Sequence, residues 1–446
     1  MSAAPAASGT LRSNHALARE VLVLAAPTTG MALLQMASQL VEAWLAARQG
    51  TAALAGWSVV LPLSLLMHQW STGAMGGGVV AAIARALGGG RRDEAASLVQ
   101  HAMAIALLAG LCFALGFSWL GAWMLQAVAG PQAAEAATGY LFWLFGAGAI
   151  PVWLANTLAS VLRGAGRHAL AARTLTVMWL VFPALAWLLA EPAGLRLAGI
   201  GLAFALVSWV SALVLFVTVR AGAAGVWPDW RQRLGWPNFR RILEVGAIAC
   251  LLAAVANLAT ITVTAQLRGH GPAAVAAYGI SARLEFAIIP LSFGIGAALT
   301  ALVGRAVGQG DWATARRIAW VGGLMALGFT GLIGGTVSLL AAPIALALGT
   351  DAEVVRIATQ ALRIIGPAYG GFGIGMAMYF AAMGARRMGW PLVAGLSRFA
   401  LAVGLGALLA GPLGLGLQGQ FIAVAAGLMA YGVFAAAGVR PGVWRA

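Results

Sequence analysis

Glu42 is the residue with the clearest chemical potential, because it interrupts a long apolar run, LAAPTTGMALLQMASQLVEAWLAARQGTAALAGW, at 24–57. Gln39, Ser38 and Gln35 precede it by three, four and seven residues, so the four polar side chains share one face of a helix. A carboxylate, two amides and a hydroxyl on one stripe are costly in hydrocarbon unless they face protein or water. An acid in such a place is a candidate for handling an ion or a proton. The structural alternative is a carboxylate that reaches for the membrane surface or pairs with Arg48, six residues on.

Other polar side chains in apolar segments are few. His68 and Gln69 open a cluster, MHQWST, with Ser71 and Thr72. Tyr140 and Asn156 fall on a later segment, and either could line a cleft or serve helix packing. In the second half Asn257 heads a weaker row with Thr260, Thr262 and Thr264, whose hydroxyls would bond their own helix. Glu285 follows Arg283 by two residues and reads first as a structural ion pair, otherwise as a second acid for cation binding. The five histidines are scattered, acids are not paired, and no phosphate-binding or metal-ligand motif occurs. That pattern excludes the usual enzyme classes, so no catalytic residue, metal or cofactor is expected beyond a transported coupling ion. Cys112 and Cys250 both lie in apolar segments and read as small buried hydrophobes.

The elements that must carry these groups follow from composition. Of 446 residues 61% are hydrophobic and 9% charged, and mean hydropathy is +0.90. Soluble domains carry roughly a quarter charged residues, so the sequence reads as an all-α polytopic membrane protein. Crossing hydrocarbon takes about 20 residues, which divides the chain into twelve spans between 19 and 437, the seventh at 241–267 and the ninth at 315–347. All 27 basic residues are arginines, and 21 of them fall on one side of this topology against six on the other. The asymmetry supports both termini on the cytoplasmic side and an even number of spans; the expected location is the plasma membrane, a bacterial inner membrane. It also accounts for the net charge of +15 without nucleic acid.

The chain repeats itself. GTAALAGW from Gly50 is matched by GPAAVAAY from Gly271, and RALGGGRRDEAASLV from Arg85 by RAVGQGDWATARRIA from Arg305. The expected organisation is a cytosolic tail at 1–18, a six-helix lobe at 19–221, a linker at 222–240, a second lobe at 241–437 and a tail at 438–446. Six spans per half make the repeats parallel, an arrangement found in transporters.

These segments resemble the MATE (multidrug and toxic compound extrusion) family of the MOP superfamily. The resemblance rests on 24–56, on VLRGAGRHALAAR at 161–173, on MGARRMGWP at 383–391, and most on AAYGISARLEFAIIPLSFGIGAALTALVGRAVGQGDWATARRIA at 276–319. The resemblance implies two six-helix lobes around a cleft. It implies a monomeric exporter of organic cations or amphipathic compounds, driven by H+ or, less in keeping with these residues, Na+. Glu42 aligns with the acid of the first helix through which many members couple ions. The DinF-type branch is the nearest, although the asparagine and aspartate that branch often carries on its fifth helix are missing from TLTVMWLVFPALAWLLA at 174–190. Helices seven and ten carry none of the acids of another branch. A flippase for lipid-linked precursors, or a dedicated metabolite exporter, is the alternative within the superfamily.

Pro27, fifteen residues before Glu42, deletes a backbone hydrogen bond and permits a bend in the helix that holds the acid. As a hinge it should matter to the transport cycle: Pro27→Ala is expected to change the pH dependence of efflux from cells. Unaltered efflux at every pH would remove the hinge.

Overall fold

In the computed structural model, residues 13–228, 233–349 and 351–445 are described. Most of the expected N-terminal tail (1–12) and the centre of the expected linker (229–232) lie outside them. Among the described residues eleven helices are long and apolar enough to cross a membrane, and one bent pair, counted as a single span, makes a twelfth. In chain order they are α1 (Asn14–Arg48), α2 (Thr51–Gly88), α3 (Arg92–Ala129), α4 (Pro131–Ala147 with Ala149–Gly164), α5 (His168–Ala190) and α6 (Arg196–Arg220). The second half supplies α7 (Trp236–His270), α8 (Pro272–Gly308), α9 (Trp312–Leu339), α10 (Ala352–Ala385), α11 (Gly389–Ala410) and α12 (Gly416–Ala437). The protein is thus an all-α, multi-pass membrane protein of two six-helix lobes, as its sequence predicts.

Two element boundaries differ from the sequence reading. The span expected at 315–347 breaks at Leu340, where a short helix, Ala341–Leu348, begins. The seventh begins at Trp236 rather than 241, because Pro237 occupies the first turn, where its missing N–H costs nothing. α4 bends by 44° at Gly148, just after a wider π-turn stretch, Phe142–Ala147. α1 stays helical through the half-buried Pro27.

The repeat is visible in backbone geometry as well as in residue type. Left-handed φ values recur at equivalent turns: Gly50 (103°) and Gly271 (95°), Gly90 (73°) and Gly310 (80°), Gly194 (71°) and Gly414 (68°). Glycine meets that demand without a Cβ clash. At Gly166 the second half instead has Arg386 at φ 57°, a conformation that costs a side-chain-bearing residue about 1–2 kcal/mol. The Arg386 guanidinium is held by Glu244, with Nε donating at 2.6 Å.

Each lobe has its own apolar core, yet the first helix of each repeat contributes to both. On α1, Leu17, Val21 and Ala25 pack into the second lobe's core, whereas Met31, Leu45 and Ala46 pack into the first. On α7, Ile242 belongs to the first core, and Val263 and Leu267 to the second. The lobes therefore cross through each other in the half of the bundle that carries the chain ends. Among the described residues, the close glycine contacts between lobes all fall in that half or near mid-height, from Gly73 beside Phe293 down to Gly88 beside Arg305. A Cβ on Gly88 would stand 2.3 Å from the Arg305 carbonyl oxygen, and one on Gly308 would stand 2.2 Å from that of Arg85. Arg85 donates across the same seam to the carbonyls of Met383 (3.2 Å) and Gly384 (2.9 Å).

Gly308→Val should therefore cost this arrangement about 1–3 kcal/mol through overpacking. A lower thermal unfolding midpoint, with greater labelling of Cys250, which is buried where the lobes meet, is the expected readout. Asp311 caps α9 by accepting from the Thr314 N–H at 2.9 Å. Hydrogen bonds from Thr314, its side chain first, hold the Asp311 carboxyl below the usual carboxylate range. Asp311→Ala should cost about 1 kcal/mol near neutral pH. Because the folded carboxyl titrates lower than an unfolded one, the penalty should persist above the ordinary aspartate range. It should vanish as the pH falls through the depressed value, which pH-resolved unfolding would measure.

Candidate functional site

Glu42 stands six residues from the end of α1, half-buried and facing its own lobe. The phenol of Tyr140, 1% exposed on α4, donates to Glu42 Oε1 at 2.5 Å. The indole of Trp57 on α2 lies against the same carboxylate, although its N–H completes no regular hydrogen bond. Among the described residues no cation lies within salt-bridge distance of Glu42. Arg48 pairs instead with Glu191 at 3.3 Å and covers the Trp44 ring at 5.0 Å, which rules out the structural alternative of a Glu42–Arg48 pair. A carboxylate with no cationic partner leaves its charge to be balanced by whatever ion or proton reaches it.

The rest of the stripe does different work. Ser38 is buried and donates to the carbonyls of Leu34 (3.0 Å) and Trp179 (2.7 Å), fastening α1 to α5. Gln35 lines a cavity of ≈ 20 Å³ inside the first lobe together with His68, Thr72 and Asn156. That volume holds about one water molecule. Met178 and Trp179 close the same cavity, and the His68 ring packs between Trp179 and Phe204 at 5.9 and 5.8 Å. His68 Nδ1 faces the Ser64 carbonyl at 2.9 Å, so that nitrogen is the donor and Nε2 is free to accept. Asn156 Nδ2 donates to Ser71 Oγ at 2.9 Å. α2 widens into a π-turn over Gln69–Ala74, which re-aims Ser71 and Thr72 away from strict helical register.

Gln69 and Asn257 are brought together from opposite lobes: Asn257 Nδ2 donates to Gln69 Oε1 at 2.9 Å. Asn257 is therefore a seam residue near mid-height, and the threonines beside it bond their own helix, with Thr262 and Thr264 donating to carbonyls four residues back at 2.8 and 2.7 Å. Glu285 forms an ion pair, but with Arg398 of α11 rather than Arg283. Both partners are largely buried, and Arg398 also covers the Phe372 ring at 5.1 Å. Arg398 thus lies within a span rather than on the arginine-rich face to which the sequence topology assigns it.

The structure joins Glu42 to Tyr140, Gln69 to Asn257, and Gln35 to His68 and Asn156. No hydrogen bond among the described residues links Glu42 to Gln35, Ser38, Gln39 or His68. Sequence reasoning overlooked Trp57 and Trp179 as structural partners, and misplaced two cations. The second is Arg163, 1% exposed, whose three nitrogens make no hydrogen bond among the described residues and whose guanidinium faces Phe293 of the other lobe at 5.7 Å. Its apolar neighbours in ASVLRG are the one local signal that it could be buried.

The MatE family description matches residues 27–188 and again 246–408, once per lobe. The probable multidrug resistance protein NorM of Deinococcus radiodurans is 29% identical, over 81% of this chain and 78% of that protein. An FAD transporter of Shewanella oneidensis is 24% identical, over 75% of each. The fold superposes on the Vibrio cholerae MATE transporter VcmN in its bent form with a TM-score of 0.87 and 22% identity, over 96% of this chain and 98% of that one. With a family match on both lobes, on the same two-lobed helical fold, the chain belongs to the MATE family of membrane transporters.

Proposed function

We propose that the protein is a secondary active exporter of organic cations or amphipathic compounds, working in exchange for protons through alternating access of its two lobes. The observation that carries this reading is the carboxylate of Glu42, hydrogen-bonded by Tyr140 and matched by no cation. Such a group can exchange a proton for a cationic substrate without a net charge being stranded in the apolar lobe. Glu285 is less suited to that task, because Arg398 already neutralises it. The close approach of the lobes in the half that bears the chain ends fits one of two alternating arrangements, with that half on the cytoplasmic side. Polarizable and aromatic groups beside the small cavity, Met178 and Trp179 among them, suit loosely specified substrates.

A dedicated metabolite exporter is the second reading. It is favoured by the FAD transporter among the relatives and by Arg163, a buried cation without an acidic partner among the described residues, of the sign that an anionic cargo would require.

In proteoliposomes with an imposed proton gradient, efflux of a fluorescent organic cation should follow that gradient, and Glu42→Gln should reduce it about tenfold or more, a loss of roughly 1.4 kcal/mol or more. Tyr140→Phe removes one charge-assisted hydrogen bond and should retain exchange while moving its pH midpoint by about one unit, equivalent to roughly 1.4 kcal/mol. Full proton-driven exchange by Glu42→Gln would reject the coupling role. A sodium gradient substituting for the proton gradient would reassign the ion, and transport of flavin dinucleotide but no cation would favour the second reading.

A further inference from the structure

The seam between the lobes opens, at the end bearing the chain termini, into a cavity of ≈ 590 Å³. Its walls come from both lobes. Arg85, Arg91 and Glu94 stand on the first, and Arg241, Arg386 and Arg387 on the second. Two carboxylates answer these five guanidiniums. Glu94 takes Arg91 at 2.8 Å and Arg241 at 2.5 Å, while Glu244 takes Arg386 and is shared with Arg240 outside the cavity. Among the described residues Arg85 and Arg387 donate hydrogen bonds only to backbone carbonyls, Arg387 to Arg445 O at 2.8 Å. Asp311, in the turn before α9, is committed to capping that helix. Positive charge is therefore in surplus among the described residues.

Each guanidinium offers five N–H donors in a planar fork, and the hydrogen bonds above use only some of them. Arg387 is further held by stacking on Trp312 at 5.5 Å, which also lines the cavity and opens the first turn of α9. A helix N-terminus adds partial positive charge to the same wall. The volume is in the range of small-ligand sites, roughly 300–1,000 Å³. Topological bias accounts for arginines at this end of the bundle. It does not account for five of them converging from both lobes on one walled space.

We propose that this cavity binds a phosphate-bearing anion, and that an anion held by both walls clamps the lobes together at this end. Phosphate oxygens match guanidinium forks in pairs, and a ligand that touches both lobes binds best where the lobes are closest. Either a soluble phosphate compound or the headgroup of an anionic lipid carries this chemistry. The proposal is independent of which cargo is exported, and its test requires no transport.

The test uses the full chain purified in neutral detergent. Thermal unfolding is followed with inorganic pyrophosphate against sodium chloride at matched ionic strength, and separately with phosphatidylglycerol against phosphatidylcholine in the micelle. A saturable rise in Tm with pyrophosphate or phosphatidylglycerol is expected, and the arm that responds identifies the source. The rise should be lost in R91Q/R387Q, one exposed arginine from each lobe, and kept in R91K/R387K; if the double variant fails to unfold cooperatively, R387Q alone should halve the response. Spin labels at D93C and A313C in a C112S/C250S background should shift to the shorter separation when the effective ligand is added. An equal effect of chloride, an undiminished rise in R91Q/R387Q, or no response in either arm overturns the site. Binding without any change in the label separation overturns the clamp.

Discussion

Backbone meeting backbone along one seam is the contact on which the arrangement of this molecule depends. Gly88 and Gly308 each lie against the carbonyl of the partner repeat's arginine, and Gly78 lies against Gly246. In a bilayer no hydrophobic force draws helices together, since lipid is as apolar as leucine, so close approach through small residues supplies the attraction. The seam also explains why α1 and α7 are shared between cores. Leu17 and Val21 are buried only because the other lobe is there to bury them. An arrangement that opened this seam would expose those residues, Arg85 and Arg163 together.

Polar groups divide along the same line. In the first lobe Glu42 and Tyr140 form an isolated pair away from the seam, while Gln35, His68 and Asn156 gather around a water-sized cavity. Near mid-height Gln69 and Asn257 join the lobes directly. Glu285 and Arg398 neutralise each other in the second lobe. The two lobes therefore share a fold but not a charge pattern: among the described residues the interior acid of the first, Glu42, has no cationic partner, and that of the second, Glu285, has one.

Much of this was legible in the sequence for physical reasons. Apolar runs of the required length, punctuated by glycines, define twelve spans, and the turns at Gly50 and Gly271 or Gly90 and Gly310 share backbone geometry because the repeat preserved the residue that permits it. Of the stripe, Ser38, Gln35 and Glu42 do face protein, as helical spacing requires. Its partners were less legible. Tyr140 lies 98 positions from Glu42, and Arg398 lies 113 from Glu285. Arg283, adjacent in sequence, points elsewhere, because residues two apart on a helix occupy different faces.

By itself the sequence determined the class of protein, the number of spans, the two-lobed repeat and the presence of an acid in an apolar helix. These are consequences of local composition and period. Only the tertiary structure decided which charges are matched, that Arg163 and Arg398 are interior, and that five arginines from three separate places in the chain converge on one cavity. Those outcomes depend on how helices far apart in the chain come to lie side by side, and no local pattern of residues encodes a distance between them.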